Sequence, residues 1–337
     1  MKLSYSFIVP VFNRPQEVRE LLTSFVSLKK VADFELIIVE DGSEETSEEI
    51  VKEYKGSLPV RYRFQENQGP GKARNLGAEI AQYDYLIFLD SDVLLVQDYL
   101  MNINDHLSKM ALDCFGGPDK DHEMFSHLQK AVDFSMTSFL TTGGIRGKNE
   151  STKDYEPRSF NLGIRKELFR EIGGFAQIHP GEDPELIMRL RKHKASVRIG
   201  YIPSAQVIHK RRISIKKFAK QIYKFGLVRP IISSWHPGAD HITFYFPVAF
   251  SVGFVISLFS MLLGYYSPVL LYFAYMFALL TECLYKKRNW LIALLSILTT
   301  YIQFFSYGAG FLNSYVRIKV CGNKAESVFP HLFFSTK

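Results

Sequence analysis

Apolar and polar positions along this chain follow two periods. Short apolar runs bounded by polar residues at 4–11, 34–39, 60–64 and 85–89 predict buried strands. Between them apolar residues recur at helical spacing, as in Val18, Leu21, Leu22, Phe25 and Val26 after the helix-start signal Asn13-Arg14-Pro15. The pattern then predicts a helix from about 70 to 81, a helix at 97–110, a strand at 111–117, and a mobile loop at 139–159. A strand at 159–164, a helix at 165–172 closed by Gly173-Gly174, a helix from Gly181 to His193, and short β stretches at 196–201 and 205–209 follow. Strands alternating with helices predict an α/β fold with a largely parallel sheet covered on both faces.

Beyond residue 240 the pattern changes. Apolar spans at about 242–264, 267–285 and 290–312 each approach the about 20 residues that cross a bilayer. They are expected to be transmembrane helices within 241–315, followed by a tail at 316–337. Lys286-Lys287-Arg288 is expected on the cytoplasmic side, and with it residues 1–240. A third crossing then leaves Arg317, Lys319 and Lys324 outside, unless the third span is re-entrant or interfacial. Between the halves, at 211–240, Ile215, Phe218, Ala219, Ile222 and Phe225 share a helix face opposite Lys216, Lys217, Lys220 and Lys224. That segment reads as a helix lying on an anionic membrane surface, or as a basic helix packed on the domain.

Charge sharpens the division. The net charge is +7, yet residues 186–239 hold 13 Lys and Arg and no Asp or Glu. A basic block directly before an apolar region points to a membrane surface, not to nucleic acid. The three cysteines are widely spaced and form no metal or disulfide pattern, which fits a reducing compartment for the catalytic part. The first apolar run is short and is interrupted by Pro10, unlike a signal peptide.

Candidate chemistry collects where strands end. The central stretch Tyr85-Leu86-Ile87-Phe88-Leu89 runs into Asp90-Ser91-Asp92, two carboxylates at the edge where open α/β sheets bind ligands. Such a pair fits a divalent cation, Mg²⁺ or Mn²⁺, that itself holds a phosphate, or else a solvated turn. Glu40-Asp41 closes the second strand. Gly69-Pro70-Gly71-Lys72-Ala73-Arg74 opens a helix, either as a phosphate cradle or as a plain helix start. Glu182-Asp183 stands in a first helical turn, where acids also suit the helix dipole.

Seven segments in order resemble glycosyltransferase family 2, inverting enzymes of the GT-A fold, over residues 4–210. They are Phe7-Ile8-Val9-Pro10-Val11-Phe12-Asn13, Val39-Glu40-Asp41-Gly42-Ser43, Asn67 to Gly77, Leu89-Asp90-Ser91-Asp92, Asn161-Leu162-Gly163-Ile164-Arg165, Gly173-Gly174-Phe175 and Gly181-Glu182-Asp183. The resemblance implies a GT-A domain at 1–210. Its donor site would hold a nucleotide-sugar, a UDP-sugar first, through Pro10, Asp41, Arg74, Asp90 and Asp92, with Asp41 on the uracil or ribose. Asp92 would coordinate the metal, and His209, histidine in some relatives, would join it. Asp183 would be the general base, with Glu182 beside it positioning acceptor or loop. The run from Gln221 to Arg229 is similar to a segment of membrane-bound polysaccharide transferases. The implied protein is multi-pass in a cell membrane, with a cytoplasmic catalytic domain. Its acceptor is a membrane lipid or lipid-linked glycan, and polysaccharide assembly or export partners are expected. Two other readings stay open: a polyprenyl-phosphate sugar synthase, and a non-catalytic nucleotide-sugar-binding membrane scaffold.

Overall fold

The computed structural model of the chain describes residues 3–120, 125–142, 155–194, 196–210, 214–238 and 241–334. Its strands are β1 (Ser4–Val11), β2 (Asp33–Asp41), β3 (Val60–Gln65), β4 (Tyr85–Leu89), β5 (Val93–Leu95), β6 (Cys114–Gly116), β7 (Asp119–Lys120), β8 (Asn161–Arg165), β9 (Ile199–Tyr201) and β10 (Val207–His209). Its helices are α1 (Pro15–Val26), α2 (Glu48–Tyr54), α3 (Pro70–Ile80), α4 (Tyr99–Lys109), α5 (His127–Thr137), α6 (Phe139–Thr142), α7 (Lys166–Glu171), α8 (Glu182–His193), α9 (Ile215–Trp235), α10 (Phe246–Leu262), α11 (Ser267–Lys287), α12 (Trp290–Tyr315) and α13 (Ala325–Val328). The chain forms two units, one from the described residues of 1–122, 150–210 and 330–337, the other from those of 123–149 and 211–329.

The first unit is built on a seven-stranded sheet in the order β3-β2-β1-β4-β8-β6-β9. The ladders β1–β2, β2–β3, β1–β4 and β6–β9 are parallel, while β8 runs antiparallel to both β4 and β6. The sheet is thus mostly parallel, with one reversed strand that the apolar pattern does not announce. Its faces are both dry, and this is why β1 and β4 read as unbroken apolar runs. Phe7, Val9, Ile87 and Leu89 pack to one side with α1 and α4, whereas Ile8, Leu86 and Phe88 pack to the other with α3, α7 and α8. Parallel pairing brings the carboxyl ends of β1, β2 and β4 to one edge, and antiparallel β8 begins there, with Asn161 opposite Leu89. A small second sheet, β5-β10-β7, pairs His209 with Val93 at the same edge.

In the second unit α9 lies against α12 with two glycines at the contact. A Cβ on Gly226 would stand 2.2 Å from the Tyr307 carbonyl oxygen, and one on Gly310 would stand 2.1 Å from that of Tyr223. Absence of side chains lets the two backbones touch, and Asn313 Nδ2 donates to Tyr223 Oη at 2.6 Å. Phe218 and Ile222 are buried among Val132 and Met136 of α5 and Ile302 and Tyr307 of α12, so the middle of this apolar face of α9 is covered by protein, while Ile215 at its start is exposed. Gly226→Leu is expected to destabilise this unit by about 1–3 kcal/mol, the usual cost of overpacking. Thermal melting in detergent reads the loss, with Gly56→Ala, whose Cβ meets nothing within 4 Å, as the near-neutral control.

Two stretches of the second unit, Ser267–Lys287 and Trp290–Val320, are long and apolar enough to cross a membrane; Phe246–Leu262 is apolar but shorter. Leu271, Phe273 and Phe277 of α11 and Leu291 and Leu294 of α12 are exposed. Of the loop expected at 139–159, Phe139–Thr142 is helical, and residues 143–154 lie outside the described residues.

Candidate active site

Four strand ends and two helix starts supply the polar residues at the sheet edge. After β1, Asn13 takes a left-handed backbone (φ 52°), and its Oδ1 accepts the Glu44 N–H at 2.8 Å, tying the β1 and β2 ends together. Glu40 is fully buried and serves that same loop. It accepts from the Ser43 hydroxyl, from Ser47 N at 2.8 Å and from Ser47 Oγ at 2.6 Å. Its role is therefore to shape the turn after β2. Asp41 is also buried. It accepts from Gln65 Nε2 at 2.6 Å and from the backbone N–H groups of Gln68 and Gly69, each at 2.9 Å. Asp41 thereby fixes the loop that leads into α3. Pro10 sits between these ends, paired with Val39 in the sheet.

Arg74, from the first turns of α3, is the hub. Its side chain is 4% exposed; Nη2 donates to Asp90 Oδ1 at 2.7 Å and Nη1 to Glu182 Oε1 at 3.2 Å. The guanidinium also lies over the Phe175 ring, 5.5 Å from its centroid. A buried cation shared by two carboxylates offsets part of the desolvation of all three. It also joins the acid pair after β4 to the acid pair that opens α8, 90 residues apart in sequence.

The two acids of α8 are driven in opposite directions. Burial pushes the Glu182 carboxyl up, but His179, with Nδ1 at 3.0 Å, and then Arg74 overcome it and hold the group well below the usual carboxylate range. Burial, then the charge of Glu182, pushes Asp183 up to about 6, against Arg74, Arg158 and Ser159. Asp183 Oδ1 is buried and has no hydrogen-bond partner. Neighbouring carboxyls set apart in this way commonly divide the labour of an acid–base site.

Asp92 meets Arg14 Nη1 at 2.7 Å through Oδ2 and His209 Nε2 at 3.1 Å through Oδ1. Burial works against its ionisation, but His209 and Arg14 prevail and hold it at about 2. Asp90, Asp92 and His209 each offer a ligand atom, all within 4.8 Å of one another, and among the described residues this is the group placed to hold a metal. Two carboxylate oxygens and one imidazole nitrogen form a donor set suited to Mg²⁺ or Mn²⁺. His209 Nδ1 is buried and unpartnered.

The structure thus gathers Asp41, Arg74, Asp90, Asp92, Glu182, Asp183 and His209 along one edge. Arg14 and His179 are additions that sequence reasoning did not single out. Their signals were adjacency alone: Arg14 follows the strand-end Asn13, and His179 precedes Pro180-Gly181-Glu182-Asp183.

A mostly parallel sheet with acids at the ends of β2 and β4, a glycine-led α3 and an acidic α8 defines a GT-A transferase fold. The mannosyltransferase PcManGT from Pyrobaculum calidifontis, solved with GDP-Man and Mn²⁺, shares this fold at 15% identity and TM-score 0.68, over 93% of this chain and 87% of that one. Residues 1–349 of S. aureus TarS, solved with UDP-GlcNAc, match at 19% identity and TM-score 0.51, over 94% of this chain and 92% of that one. Residues 6–173 match the family model described as glycosyl transferase family 2, and through this domain the chain belongs to that family. Among curated relatives, the chondroitin synthase of Escherichia coli is 30% identical over 167 residues, 45% of this chain but 24% of that protein. The chain therefore spans about a quarter of that relative's length.

Proposed function

We propose that the chain is an inverting glycosyltransferase moving a sugar from a nucleotide-sugar, a UDP-sugar first, to a hydroxyl of a membrane-associated glycan or lipid-linked acceptor. One observation carries the reading: Arg74 touches Asp90 and Glu182 together, so the donor acids after β4 and the acids opening α8 line one cleft. Fold neighbours solved with GDP-Man and with UDP-GlcNAc support the donor class, and the chondroitin synthase relative supports a glycan acceptor.

In this reading the acceptor oxygen attacks the anomeric carbon opposite the diphosphate. The new C–O bond forms as the sugar–phosphate C–O bond breaks, and the diphosphate leaves with the bonding pair. Asp183 takes the hydroxyl proton on its unpartnered Oδ1. Glu182, held ionised, is a poor base and instead fixes Arg74 and His179. Asp90, Asp92 and His209 would hold Mg²⁺ or Mn²⁺, which when bound neutralises charge on the leaving diphosphate. Asp41 and Pro10 border the donor end, with Asp41 facing base or ribose. The two long apolar helices support membrane association, and we place the catalytic unit in the cytoplasm, where nucleotide-sugars are made.

The test is a donor screen with the full chain in native membranes, reading nucleoside diphosphate release from UDP- and GDP-sugars. Release from one donor is expected, falling at least about tenfold on chelation and returning with Mn²⁺ or Mg²⁺. No release or hydrolysis with any donor would instead leave a nucleotide-sugar-binding scaffold.

A further inference from the structure

The last described residues do not stay with the apolar helices; Pro330 to Phe334 belong to the catalytic unit. Leu332 is fully buried, and its carbonyl accepts the His179 backbone N–H at 2.8 Å. The Phe334 ring lies on Gly69. A Cβ built there would stand 2.2 Å from Phe334 Cδ2, so the ring occupies the space that any side chain at 69 would need. Its centroid is 6.4 Å from the His179 ring, at an interplanar angle of 50°.

Both contacts fall on groups already placed in the site. Gly69 caps α3 with φ 87° and donates its N–H to Asp41 Oδ2. His179 holds Glu182 through Nδ1. A single aromatic ring thus covers the loop that Asp41 fixes and borders the residue that holds Glu182. Nothing in the apolar pattern of the tail requires this return, and a buried leucine with a backbone hydrogen bond is a seated contact.

We propose that the C-terminal segment Pro330–Phe334 forms part of the wall of the nucleotide-diphosphate site, with Phe334 as a positioning residue that holds the Gly69 turn against Asp41. This rests on the glycosyl-transfer reading above. Removing the ring leaves the turn uncovered on its glycine face, and the loop loses the packing that orders its two N–H groups toward Asp41.

The experiment measures binding of UDP and GDP, with Mn²⁺, to the full chain in detergent, for the native protein, Phe334→Ala, Phe334→Leu and Phe334→Tyr. Phe334→Ala is expected to weaken the preferred nucleotide up to about tenfold, the scale of one lost aromatic contact. Phe334→Tyr is expected to stay within about twofold of the native protein, and the melting temperature to hold in both. Should Phe334→Ala fail to fold, Phe334→Leu, which keeps apolar bulk without the flat ring, takes its place with a smaller expected loss. Unchanged binding in Phe334→Ala overturns the proposal, and so does tighter binding, the result a plug competing with nucleotide would give. A native protein that binds neither nucleotide overturns the glycosyl-transfer reading itself, and the role of the tail with it.

Discussion

Asp183→Asn is expected to lower turnover by about 10²–10⁴-fold, the range a positioned general base contributes, while nucleotide binding stays close to native. The substitution keeps the shape of the side chain and removes only its capacity to take a proton. The pH profile gives an independent reading. Burial and the Glu182 charge set the Asp183 carboxyl at about 6. The working form is the deprotonated one, so the rate is full above that value. It falls about tenfold for each further pH unit below it. In Asp183→Asn this acid limb should vanish from the residual rate. The acceptor class is read from the same variant. A polyprenyl phosphate is already anionic and needs no base, so near-native turnover in Asp183→Asn would remove the base from the mechanism and point to that acceptor.

Arg74→Lys should be nearly as damaging, for a different reason. The guanidinium reaches Asp90 with one nitrogen and Glu182 with another. An ammonium is a point charge and cannot span both. Glu182 is almost fully buried and keeps His179 when Arg74 is removed, so Arg74→Ala is expected to cost about 1.5–3 kcal/mol, the scale of a lost hydrogen bond to a charged group. Asp90 is a third exposed and adds less. The expected result is a lowered melting temperature in Arg74→Ala and a folded but inactive Arg74→Lys. Near-native turnover in Arg74→Lys would show that Asp90 and Glu182 need no common counter-charge, and the single cleft would lose its support.

The parts of this architecture that sequence reveals are those where burial is two-sided or chemistry is local. β1, β2 and β4 stand out because residues on both faces are apolar, and the acids at their ends follow at once in the chain. β5 and β7, of three and two residues, are too short to show a period. The reversal of β8 is invisible because an apolar run carries no direction. The amphipathic face of α9 was legible, but its occupant was not: α5 and α12 come from distant segments. Within the site, Asp90, Asp92, Glu182 and Asp183 could be found by type and position. The bracing role of Glu40 depends on Ser43 and Ser47 folding back onto it. Arg14 and His179 matter only through partners that the fold brings to them.

The seating of Leu332 and Phe334 also constrains what the apolar helices can do. A polypeptide that departs the catalytic unit at Lys210 and rejoins it at Pro330 can traverse a lipid bilayer only an even number of times. If the cationic turn Lys286–Arg288 keeps to the catalytic side as well, α12 starts and finishes on that side. It would then not pass through, and α10 and α11 would go through together or not at all.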